Sequence, residues 1–212
     1  MAKLHFPPSL INSYHALTIL AGVAFVVALL APGTVGSLGG YASFLGPPLF
    51  LGALTLISAI LGVHVGGTEE AWGRERPRSS RAAMGRLLAL VGLGQLLLAP
   101  FLFGFRGLVG GSWAGAFLVQ ALLFGCSLAW AGVGFIASGG LKSSGVRFVG
   151  VYATLFAIHF VSLAIALPIS PPLVALALWD LKLGPGLAGL LLWMGLAVVG
   201  LGGVWGWKRG RY

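Results

Sequence analysis

The stretch Leu97-Leu98-Ala99-Pro100 closes an apolar run that opens at residue 85, and it has near-copies in Leu29-Leu30-Ala31-Pro32 and Ile165-Ala166-Leu167-Pro168. The three prolines are evenly spaced along the chain. Proline lacks a backbone donor and clashes with the preceding turn, so each is expected to end a helix. Each also closes the first member of a pair of apolar segments: 13–31 with 43–65, 85–104 with 113–137, and 148–168 with 185–207. A chain with eleven prolines yields an evenly spaced triplet readily by chance, so the weight lies in where these three fall. The expected fold is all-α and polytopic: six transmembrane helices arranged as three hairpins in a pseudo-threefold repeat, forming a single transmembrane domain over residues 1–212.

Composition leads to the same class. Of 212 residues, 58% are hydrophobic and 8% charged, with a mean hydropathy of +1.00. Soluble domains carry about 25% charged residues. Each of the six segments is near or above the ~20 apolar residues that cross a bilayer as a helix, and their interiors hold no Asp, Glu, Lys or Arg. The first segment lacks a small-residue cleavage pattern and belongs to the repeat, so it is expected to be a retained helix and not a signal peptide. Thirty-five glycines point to close helix contacts. The lone Cys126 excludes an intrachain disulfide and a cysteine-based metal cluster, and is expected to be a small packing residue.

A formal net charge of +9 raises the question of nucleic acid, which the placement of the charges answers. In a six-helix topology Lys3, Arg74, Arg76, Arg78, Arg81, Arg86, Lys142, Arg147, Lys208, Arg209 and Arg211 share one side, leaving Arg106 and Lys182 on the other. This asymmetry predicts cytoplasmic N- and C-termini. The expected partners of the basic residues are anionic lipid head groups, not a nucleic acid. Segment 66–84 is dense in charge of both signs and reads as a solvated cytoplasmic loop. Segment 169–184, with Pro171-Pro172 and Trp179, reads as a longer outer turn lying in the interface, with Trp179 at head-group depth.

Polar groups at membrane depth are costly and therefore candidates for function. Gln95, Gln120 and His159 stand out, followed by Thr18, Thr55, Ser58, Ser127, Thr154 and Ser162. Lining a pore and bonding helix to helix would satisfy them equally well. His15 and His64 lie near the same ends of the first two helices, as a bis-His haem would require. Isolated histidines near an interface are more often polar helix ends, and no cofactor or metal is expected. Glu69-Glu70 followed by Arg74 spells the Glu-Glu-x-x-x-Arg signature of intramembrane CAAX-type proteases, but only His159 is available from a later span. With one aspartate in the chain and no nucleophile elbow, P-loop or His-Glu-x-x-His, an enzyme is not expected.

The stretch from Pro8 to Leu20, with Asn12, Tyr14 and Thr18, resembles the opening of the acetate uptake transporters. The helix from Phe50 to Gly66-Gly67-Thr68 resembles that family's glycine-rich second helix. Where the family has Asn-Pro-Ala-Pro, this chain has His5-Phe6-Pro7-Pro8, and Gly67-Thr68 lacks the flanking Asn and Phe. The resemblance implies a six-helix channel for small solutes, often oligomeric, in the manner of urea/amide channels; HdeD-like membrane proteins are similar to the same extent. A competing resemblance is to ABC-exporter permease subunits. Their coupling loop is similar in order to Gly67-Thr68-Glu69-Glu70, Pro77-Arg78-Ser79-Ser80-Arg81 and Gly85-Arg86. That likeness implies an ATPase partner contacting Thr68, Glu69, Glu70, Pro77, Arg81 and Arg86. The expected function is a small-solute channel or passive transporter of the monocarboxylate/urea type, with Gln95, Gln120 and His159 as its polar lining. The alternatives are an exporter subunit and an accessory subunit of a larger membrane complex.

Overall fold

The computed structural model describes residues 7–34, 46–75, 79–141 and 143–209. The helices are α1 (Pro8–Thr34), α2 (Pro47–Glu75), α3 (Ser80–Val109), α4 (Trp113–Gly140), α5 (Ser144–Phe156), α6 (Ser162–Ala164), α7 (Pro171–Trp179) and α8 (Leu183–Arg209). A π-helical turn, Ala157–Val161, joins α5 to α6. Helices α1, α2, α3, α4 and α8 make five that are long and apolar enough to cross a membrane, and Phe148–Ala164 is a shorter apolar helix. Large apolar side chains such as Ile19, Leu191 and Val198 point outward, as lipid-facing side chains do.

Local chemistry explains several boundaries. Ser79 starts α3 by accepting from the Ala82 amide, and Ser112 starts α4 by accepting from Ala114 and Gly115. Gly110 and Gly111, both with positive φ, turn the chain between these helices. Pro171 occupies the first turn of α7, where the missing donor costs nothing.

The helix ends differ from the sequence expectation in three places. Pro100 lies within α3, which continues to Val109, and α1 continues past Pro32 to Thr34. Neither proline is a terminator, because without water the backbone does best by remaining helical on both sides of the break. Pro168 does follow the end of α6, in a turn where Ala166 has positive φ and the Leu167 amide donates to Ser162. Helix α2 runs to Glu75, so residues 66–75 are helical and not part of a loop. Finally, α7 packs against α2, α4 and α8, and Trp179 is buried against Phe105 and against Gly111 of the α3–α4 turn.

The core is built on α4. It packs closely on α2 along one side and on α8 along the other, while α7 bridges all three. These three long helices run in the same direction, towards a charged end marked by Glu69, Ser138 and Lys208. Their contacts are of the small-residue kind. A Cβ on Gly62 would strike the Ser127 carbonyl, and one on Gly66 the Ala131 carbonyl, so α2 and α4 meet backbone to backbone. Gly132 of α4 meets Gly200 of α8 in the same way. No passage remains between α2 and α4 at these contacts.

Candidate functional site

Burying amides and hydroxyls in lipid demands partners, and the close approach of α2 and α4 supplies them. The Ser127 hydroxyl of α4 donates to the Ser58 carbonyl of α2 at 2.6 Å. From α3, Gln95 Nε2 donates to Ser127 Oγ at 2.7 Å and to Ser58 Oγ at 3.2 Å. Gln120 Nε2, again from α4, donates to Gln95 Oε1 at 3.0 Å. Ser58, Ser127 and Gln95 are buried. Three helices are thus tied by one polar chain near the middle of the bundle.

The chain ends at a groove. Its walls come from α3 (Leu93, Leu96, Ala99, Phe103), α4 (Phe117, Ala121, Phe124) and Met194 of α8, and Gln95 and Gln120 lie at its floor. The groove has a volume of about 810 Å3. Leu96 and Phe117 on its rim are 70% and 63% exposed, so it opens to the side that lipid would contact. Gln120 Oε1 is buried and has no hydrogen-bond partner among the described residues.

His159 is not part of this arrangement. It is buried in the π-helical turn, where Nδ1 stands 3.2 Å from the Leu155 carbonyl of its own helix. The sequence thus names three polar residues, of which the structure joins Gln95 and Gln120 and sets His159 apart. His15 and His64 are also separate. Ser13 faces His64 at 3.4 Å, whereas His15, two residues on, lines a second groove with Leu93 and Leu97. Two residues turn a helix by about 200°, so the two histidines do not converge on one haem position. Among the described residues no group of His, Cys, Asp or Glu is placed to hold a metal ion.

Comparison with protein-family models, with curated proteins and with solved structures finds no match. The site is therefore read from its own chemistry.

At the charged end, Glu69 and Glu70 are both buried. Glu69 pairs with Arg86 across α2 and α3 at 3.0 Å, and Glu70 with Arg74 at 2.7 Å. Arg74 also donates to the Ser138 carbonyl of α4. Arg86 lies over the Trp72 ring at 4.2 Å. The two carboxylates hold three helix ends together, which is why α2 stays helical through a stretch that reads as a loop. Thr68 is half-buried and Arg81 exposed; Pro77 lies outside the described residues.

Two contacts escaped the sequence reading. Tyr14 reaches from α1 to donate to the Leu90 carbonyl at 2.8 Å, and Lys208 is buried beside Gly73. A tyrosine in an apolar helix is the one signal that pointed to the first; a lysine at a helix end carries none.

Proposed function

We propose that this chain is a six-crossing membrane protein with both termini in the cytoplasm that carries a small neutral solute passively. In this reading Phe148–Ala164, shorter than the others, supplies the sixth crossing, and the three hairpins gather around α4. The observation that carries the proposal is the polar chain from Ser58 to Gln120, which ends at an apolar groove. Because α2 and α4 touch backbone to backbone, the solute route follows the groove beside α3, α4 and α8 and not a central axis.

The site has amides and hydroxyls but no cation, so it suits urea better than acetate, whose charge would be desolvated without compensation. Flux into liposomes carrying the protein tests this: urea permeability is expected to rise well above that of empty vesicles while acetate permeability does not. Vesicles tight to urea would contradict the carrier reading. Coupling to an ATPase receives less support, since Glu69 and Glu70 face inward onto Arg86 and Arg74 and are not presented to a partner.

A further inference from the structure

A second groove runs between α1 and α3, and its polar groups are accessible. The two helices lie side by side in the same direction: Tyr14 reaches the Leu90 carbonyl, and further along Gly22 faces Phe101 and Phe25 faces Gly104. Ile11, His15, Thr18 and Ile19 form one stripe of α1 at helical spacing, and Leu93 and Leu97, a turn apart on α3, form the facing wall. The groove has a volume of about 660 Å3, within the ~300–1,000 Å3 of small-molecule sites. Its four aliphatic residues are all exposed, so it opens to the side that lipid would contact. The Thr18 hydroxyl donates its one proton to the Tyr14 carbonyl at 2.7 Å, so towards the groove it can only accept. The His15 side chain is exposed and has no hydrogen-bond partner among the described residues. An imidazole carries an N–H in either protonation state. His15 and Thr18 lie on one face of α1 with their Cβ atoms about 5–6 Å apart, and His15 stands about 10 Å from the start of the helix at Pro8. A polar group turned to lipid at that depth gains from a partner that brings its own polar head.

We propose that this groove binds a long-chain carboxylic acid, its carboxyl bridging Thr18 and His15 and its alkyl chain lying along Ile19, Leu93 and Leu97. Away from water a carboxyl keeps its proton. The neutral group then serves both partners: its O–H donates to Thr18 Oγ and its C=O accepts from the imidazole N–H. A phosphodiester head group has no proton to give Thr18, and neither has an ester. Charge favours an acid over an amine, because exposed Arg81 opens α3 at the polar end of the groove and no Asp or Glu lines it. The site shares only Leu93 with the groove of the glutamines and does not depend on the carrier reading.

The test uses the full chain in liposomes with two photoreactive probes, a diazirine-bearing hexadecanoic acid and its methyl ester at equal mole fraction, and maps cross-links by mass spectrometry. The acid is expected to label the stretches 11–19 and 93–97 at roughly tenfold lower concentration than the ester, the scale of one hydrogen bond made to an otherwise unpaired polar group. Thr18→Val, which keeps the shape and removes the acceptor, and His15→Leu, at an exposed position, are each expected to narrow that difference severalfold. Equal labelling by acid and ester, or labelling spread over every lipid-facing helix, would overturn the proposal. An acid preference that survives both substitutions would overturn it too. Hexadecanol competing as well as hexadecanoic acid would replace the carboxyl with a hydroxyl ligand. The wild-type comparison stands on its own if a variant does not fold, and since no flux is measured, its failure leaves the carrier reading untouched.

Discussion

Gln95 makes three hydrogen bonds to three different residues on two helices, more than any other side chain in the polar chain. Single interhelical hydrogen bonds in membranes contribute about 0.6 kcal/mol on average and at most about 1.7. Losing all three while leaving Ser58 and Ser127 buried should therefore cost about 1–3 kcal/mol. Gln95→Leu is expected to lower stability by that amount in a reversible unfolding measurement in detergent or bicelles. A neutral result would mean the chain is not held together as described. Gln95 and Gln120 were legible in the sequence because an amide in an apolar run has to be satisfied. Ser58 and Ser127 stood in the same reading among the weaker polar groups, but nothing in the sequence paired them with the glutamines. Which serine faces which glutamine depends on the rotation of α2 against α4, and that is set by the glycine contacts.

Those glycine contacts act at the level of whole helices. Gly66 lies where a Cβ would press on the Ala131 carbonyl, and the obstacle is backbone, which cannot swing aside. Gly202 of α8 has open space where its Cβ would stand. Gly66→Ala is accordingly expected to cost about 1–3 kcal/mol by forcing α2 away from α4. Gly202→Ala should be neutral or slightly stabilising, through the better helix propensity of alanine. Thermal unfolding of the two variants side by side checks this, and equal stability would contradict the close α2–α4 contact. Hydropathy located the long helices well but misjudged their ends. It read Glu69-Glu70 as loop because isolated charges mark loops, whereas here Arg86 and Arg74 neutralise them inside helical structure. It also gave no hint of the π-helical turn, or of α7, whose place depends on packing against α2, α4 and α8.

For the whole molecule, the charge asymmetry makes a topological claim. In the proposed topology Arg81, exposed at the start of α3, is on the cytoplasmic side and Lys182, exposed between α7 and α8, is on the other. Cys126 is buried, so Cys126→Ala provides a background for single reporter cysteines. Arg81→Cys should react with an impermeant thiol reagent from the cytoplasmic side only, and Lys182→Cys from the opposite side only. Reaction of both from one side would refute six crossings with cytoplasmic termini. The central claim is that solute passes along the groove floored by Gln95 and Gln120, and filling that groove tests it most directly. Ala99 lines it, so Ala99→Trp should obstruct the route without touching the polar chain. Urea flux into liposomes is the measurement: the account predicts that the wild type conducts and that Ala99→Trp, folded and inserted to the same level, falls to the rate of empty vesicles. Undiminished flux through Ala99→Trp would contradict the route.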